Sequence, residues 1–271
     1  RGGFVETSAA RVDIADSIRF TALAPRGLTG TWLVDPNDYV IASSGGNETG
    51  AALSTRLAGG NIQIRTVDVG TPGGNGDILV NDVVGWSANR LTLTAERDIV
   101  VSQPMNGSGT ASLAFEYGQA VGGVGNYSIG APVTLPTGAN FSTKSSTAAA
   151  VNYTVITTLA GLQGLDAGLT GNYVLGADID ATSLAFTPIG NENSATVNTT
   201  NSFSGRFDGL GHSLTGLAPS STLANGLFAS MTGADVRNLH IIGGSFTGTT
   251  LVGALAGITE GNTRISNVTS S

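Results

Sequence analysis

The stretch Gly76–Val101, GDILVNDVVGWSANRLTLTAERDIVV, carries two short apolar phrases that both return further along the chain. DILV begins at Asp77 and is answered by DIVV at Asp98, while LTLTA at Leu91 is answered by LAFEY at Leu113, after almost the same step. A step of about 20 residues, holding several short strands separated by Gly, Asn or Asp, fits one coil of a solenoid, in which each coil buries its apolar side only against its neighbours. Alternation within LTLTA places Leu91, Leu93 and Ala95 on the core side and predicts that Thr92 and Thr94 face water.

The last part of the chain repeats with a longer step. GLFASMTGADVRNLHIIGGSFTG (Gly226–Gly248) is answered by GALAGITEGNTRISNVTSS (Gly253–Ser271). Gly226-Leu227-Phe228 returns at Gly253-Ala254-Leu255, and VRNL at Val236 returns as ISNV at Ile265 after a slightly longer interval. The difference is assigned to a longer corner at EGNT. A Ser/Thr/Ala-rich run, Ser142–Thr154, separates the two halves, taken as 1–150 and 151–271. Beyond it the leucines at 159, 162, 165 and 169 are compatible with one short helix over 157–169, weakened by Gly161, Gly164 and Gly168, and this is the only helical patch the sequence suggests.

Composition agrees with a chain of short strands. There are 40 Gly, only 11% charged residues and no Cys in 271 residues, where ordinary domains carry roughly 7% Gly and roughly 25% charge. The absence of Cys removes disulfides and thiolate metal sites. A net charge of −7 without any Lys/Arg cluster argues against nucleic acid and anionic membranes as partners. The mean hydropathy of +0.16 comes from many short apolar strands, since no run approaches the roughly 20 residues of a membrane helix. The opening RGGFVETS has no charged-then-apolar leader, and the chain reads as an interior piece of a longer protein.

Several phrases in order carry a family resemblance. The GLF…VRNLHI and GAL…ISNV units resemble the glycine-rich GLUG repeat of bacterial surface proteins, with GNYVLGADIDA (Gly171–Ala181) and FSGRFDGLGHSLTGL (Phe203–Leu217) resembling the segment before such repeats. GGFVETS (Gly2–Ser8), GTWLVDPNDYVIA (Gly30–Ala42), the stretch Gly76–Val101 and VNYTVIT (Val151–Thr157) resemble filamentous-haemagglutinin-type exoproteins of two-partner secretion. The resemblance implies an all-β chain folded as a right-handed parallel β-helix, in which 1–150 form haemagglutinin-type coils of about 21 residues and 151–271 continue with GLUG-type repeats. It further implies a secreted or surface-displayed Gram-negative adhesin, exported by an outer-membrane transporter and bound to a host-cell receptor or glycan, with no enzymatic activity, cofactor or membrane insertion. Two alternatives stay open: a passive stalk presenting a distal toxin or effector, and a polysaccharide-cleaving β-helix.

The candidate chemistry is sparse. Asp178 and Asp180 in ADIDA share one face of a strand, and with Asp208 could form an acid–base cluster. With only Arg206 nearby, a turn-closing role for these carboxylates is the favoured reading. His212 and His240 are the only histidines and stand in no metal-ligand spacing, so structural roles are expected. Glycines end strands and do not open a helix, so no phosphate-cradling loop or dinucleotide fingerprint is read. Asn-X-Ser/Thr sequons occur at Asn47, Asn106, Asn126, Asn140, Asn152, Asn198 and Asn267, and a composition this rich in Asn, Ser and Thr produces several by chance. Trp86 and Tyr127 are the possible sugar-stacking aromatics, and the insertions Asn191–Ser202 and Val67–Gly76 are the first choices for a contact surface. No catalytic, cofactor or metal residue is assigned.

Overall fold

In the computed structural model, residues 1–66, 74–120, 122–146, 148–190, 201–221, 223–248 and 250–271 are described. The chain is mostly β, its named strands pair in parallel, and it divides into two compact units, 1–152 and 153–271.

In the first unit, one sheet runs in spatial order through Phe4–Ser8, Thr31–Asp35, Asn61–Arg65, Arg90–Thr94, Ser112–Tyr117 and Gly138–Ser145. A second runs through Tyr39–Ile41, Ile78–Val80, Ile99–Val101 and Tyr127–Ile129, and a third through Val84–Trp86, Met105–Gly107 and Val133–Thr134. The recurring phrases are in register: Ile78 lies opposite Ile99 and Leu91 opposite Leu113. Beyond them the step lengthens, for Ile99 faces Tyr127 and Leu113 faces Phe141. Register repeats the same inward positions from strand to strand, so Ile62, Leu91, Leu113 and Phe141 form one buried apolar column.

Leu91, Leu93 and Ala95 are fully buried, as the alternation predicts. Thr94 departs from it, being only 7% exposed. Its hydroxyl donates to Glu116 Oε2 at 2.9 Å and accepts from Gln63 Nε2 at 3.2 Å, so long polar side chains on the flanking strands cover it. The Ser/Thr/Ala-rich junction is likewise no plain linker. Its beginning lies in the strand Gly138–Ser145, paired with Ser112–Tyr117, and its end in the strand Val151–Ile156.

A helix absent from the sequence reading occupies Gly50–Leu57. Thr49 caps it by accepting from Ala52 N at 3.2 Å, Leu53 and Leu57 bury one face, and Gly50 opens it, contrary to the expectation that no glycine opens a helix. A Cβ at Gly50 would lie 2.1 Å from the Val83 carbonyl oxygen, so packing requires glycine there. The helix delivers Arg56 to a site where it is 1% exposed. There it forms an ion pair with buried Glu48, donates to the Ala15 carbonyl at 2.8 Å and lies 5.9 Å over the Trp32 ring. Tyr39 donates to Glu48 at 2.6 Å.

The second unit has one ladder of Val151–Ile156, Asn172–Leu175, Arg206–Asp208, Asp235–Ile242 and Arg264–Ser270. Ser213–Thr215 pairs with the later part of Asp235–Ile242 and with Ile179–Asp180. The expected helix is a short one, Leu159–Gln163, running into a 3-10 turn at Gly164–Ala167. Thr158 caps it, and Leu162 and Leu165 are buried. The core gathers Phe203, Phe207 and Phe228, with Phe203 stacked on Phe228 at 4.7 Å and Phe207 edge-on to it at 5.8 Å.

The long repeats are in register here too, and the structure relocates their inserted residues. Ala224 faces Leu251, Phe228 faces Ala256 and Asp235 faces Arg264. The offset between partners grows by one from the first pair to the second and by one again from the second to the third. One residue is therefore gained before Phe228 and one after Thr232, at two corners rather than at EGNT alone. Asn238 and Asn267 occupy equivalent places with φ of 54° and 50°, a left-handed conformation that Asn tolerates better than most residues.

Phe228→Ala is expected to lower unfolding stability by about 3–5 kcal/mol, the usual cost of truncating a buried Phe, read by urea denaturation. Arg56→Met alone, which leaves Glu48 buried and unpaired, is expected to cost about 3–5 kcal/mol. Burial raises the Glu48 carboxyl from 4.5 to about 6 against the opposing pull of Tyr39 and Arg56. The unfolded chain then releases this proton at lower pH than the folded one, so the Glu48 contribution to stability falls as pH rises from 4.5 to 6. Glu48→Gln/Arg56→Met should flatten that part of the pH–melting profile.

Candidate functional site

The carboxylates singled out from sequence hold separate structural posts. Asp208 is 1% exposed; it accepts from Leu210 N at 2.8 Å, Asn238 Nδ2 at 3.0 Å and Arg237 Nε at 3.1 Å. Asn267 Nδ2 continues the chain of contacts to Asn238 Oδ1 at 2.9 Å. Asp178 accepts from Ser213 N at 2.8 Å and lies 3.1 Å from His212 Nδ1. Asp180 accepts from Thr182 N at 2.9 Å, and its bonds to Thr182 hold its carboxyl below the ordinary range. These are turn- and strand-end contacts, in line with the turn-closing reading.

The two histidines do not converge either. His240 N donates to the His212 carbonyl at 3.2 Å, yet the His212 ring lies against Asp178 and the His240 ring against Thr269 Oγ1 at 2.8 Å. Trp86 and Tyr127 are 5% and 2% exposed, and Tyr127 packs 5.4 Å from Phe115, so neither offers a stacking platform. Asn47 is tied to Val40 N and Val12 O, both at 2.7 Å. Residues 67–73 and 191–200, which include most of both proposed contact loops and Asn198, lie outside the described residues.

A groove of about 400 Å³ in the second unit is a more open polar feature. It follows the starts of four neighbouring parallel strands, where Asn172, Arg206, Asp235 and Arg264 stand in register. Three of these strand starts are fixed by backbone bonds: Arg206 N donates to Gly171 O at 3.1 Å, Asp235 N to Gly205 O at 3.1 Å and Arg264 N to Ala234 O at 2.8 Å. A Cβ at Gly205 would lie 1.8 Å from the Gly171 carbonyl oxygen, so the close stacking of this corner depends on glycine. The next residues, Phe207 and Val236, turn into the core, which by strand alternation sends Arg206 and Asp235 outward.

The charges of this row are unusual for the unit. The stretch 153–271 contains three basic residues, Arg206, Arg237 and Arg264, against seven acidic ones. Arg237 is paired with Asp208. Among the described residues, the side chains of Arg206, Asp235 and Arg264 make no ion pair or hydrogen bond within the protein. Arg206 drew notice in the sequence only as a neighbour of Asp208. The available signal was the equal spacing of positions 206, 235 and 264.

Residues 139–271 match the profile of the M26 IgA1-specific metallo-endopeptidase N-terminal region, a span covering all of the second unit and nearly all of the strand Gly138–Ser145. No curated protein and no solved structure matches the chain. The similarity to a peptidase region overturns the expectation of a filamentous-haemagglutinin-type, two-partner-secreted adhesin. It also overturns the stalk and polysaccharide-cleaving alternatives, and the expectation that the chain has no enzymatic connection.

A metallo-endopeptidase needs a metal, and the donors present here do not fit one. Among the described residues no group of three or more His, Asp or Glu side chains is placed to hold an ion, and there is no Cys.

Asp208→Asn is expected to destabilise the chain by about 1–3 kcal/mol, because it removes the anion facing Arg237 in a buried hydrogen-bonded set. Thermal melting beside the exposed Asp180→Asn, for which little change is expected, checks the contrast.

Proposed function

We propose that this chain is a substrate-engaging part of a metallo-endopeptidase, as distinct from the part that holds the metal. The observation that carries the reading is the family match over 139–271. The groove along Asn172, Arg206, Asp235 and Arg264 lies within the matched span, and its outward arginines and aspartate are polar groups suited to a polypeptide. Within each unit we further propose a right-handed parallel β-helix. The parallel pairing of Tyr39 with Ile78 and of Ile78 with Ile99 supports it, as does the strong preference of parallel crossovers for the right hand. On this reading the stacked strands act as a rigid ruler that holds polar side chains at a fixed repeat, so that an extended substrate meets a preorganised surface.

The family description points to immunoglobulin A1 as the polypeptide to try. Immobilised chain is expected to retain IgA1 saturably and in preference to IgG, measured by surface plasmon resonance over a concentration series. Equal retention of the two, or none of either, would overturn the assignment.

A further inference from the structure

We propose that the Asn172–Arg206–Asp235–Arg264 groove binds an acidic segment of an extended polypeptide, taking two carboxylates on its arginines and a hydroxyl-bearing residue between them on Asp235. The inference rests on the substrate-engaging reading for its choice of a polypeptide, and on the groove itself for the chemistry.

Charge and spacing lead to the carboxylates. Among the described residues of 153–271, the only two arginines without an acidic partner stand on the same groove, in a stretch where acidic residues outnumber basic ones by seven to three. A guanidinium with no partner in the protein is an open bidentate site for a carboxylate. The two are also held at a set distance. Register places Arg206 and Arg264 one strand to either side of Asp235, which at about 4.8 Å per strand separates their backbones by about 10 Å.

Asp235 supplies the selectivity. It is half-buried and lies between the arginines without bonding to either. A continuous polyanion would set a negative group against it, whereas a hydroxyl would donate to it, so the row disfavours uniform negative charge. An extended peptide carries same-face side chains about 6.7 Å apart. Residues i, i+2 and i+4 therefore span about 13 Å, and the length of two arginine side chains absorbs the difference from about 10 Å. The recognised pattern is acidic, any, Ser or Thr, any, acidic. Asn262, which also lines the groove, is placed to meet the peptide backbone.

The test is fluorescence anisotropy at low ionic strength on the full chain. The probes are a labelled nonapeptide centred on Glu-Gly-Ser-Gly-Glu, its Gln-for-Glu counterpart and a version with Glu at the centre. The first is expected to bind saturably and to weaken as salt rises, with the Gln peptide at least about tenfold weaker. Arg206→Gln and Arg264→Gln should each cost about tenfold with an unchanged melting temperature, while Asp235→Asn should improve binding of the peptide with Glu at the centre. Equal binding of the Glu and Gln peptides, or full affinity in the folded Arg206→Gln/Arg264→Gln variant, overturns the proposal. Loss of peptide binding in that variant, in a chain that never retains IgA1, upholds the groove and sinks the immunoglobulin reading. Undiminished IgA1 retention with no acidic-peptide binding does the reverse.

Discussion

Parallel pairing in register is the constraint on which the rest of this protein depends. A parallel strand satisfies its backbone groups through evenly spaced bonds to a neighbour on each side, and strands this short have too little surface to stand alone. Each strand of the first unit therefore takes its place from the one before. Once Leu91 faces Leu113, Leu93 must face Phe115, and the inward column follows without further choice. Glycine serves the same constraint where corners stack, most sharply at Gly205, whose missing side chain lets two backbones touch.

Register also dictates the treatment of polar groups. A charge carried into the interior cannot leave it without shifting the strands around it, so it must be matched in place. Glu48, Arg56 and Tyr39 do this in the first unit, and Asp208, Arg237 and Asn238 do it in the second. The Arg206, Asp235 and Arg264 row has the same regularity on the outer face, where water can solvate unpaired charge. That difference separates groups that hold the fold from groups free to meet a ligand.

The distance between fold and function is wide here. Apolar phrases such as DILV and GLF record how strands stack, and stacking can be shared by chains with different activities. A resemblance carried by such phrases pointed to adhesion, whereas the match over 139–271 points to a peptidase region. The candidate carboxylates hold the turn-closing role favoured from the sequence: ADIDA and RFDGLGH set acidic residues at corners, and corners need acceptors for free N–H groups, as Thr182 and Leu210 show. Arg206, Asp235 and Arg264 were each ordinary in their local sequence and form a charged row only because three strands place them side by side.

From the sequence alone the all-β class, the core positions Leu91, Leu93 and Ala95, and the recurrence of the DILV, LTLTA, GLF and VRNL phrases could be read. Alternation and repetition are local properties that a linear string displays. The burial of Thr94, the helix at Gly50–Leu57 with its buried Arg56, the two corners that share the inserted residues and the charged groove were decided only in three dimensions. Each depends on what a neighbouring strand brings from about 20 to 40 residues away, and short-range pattern does not carry that information.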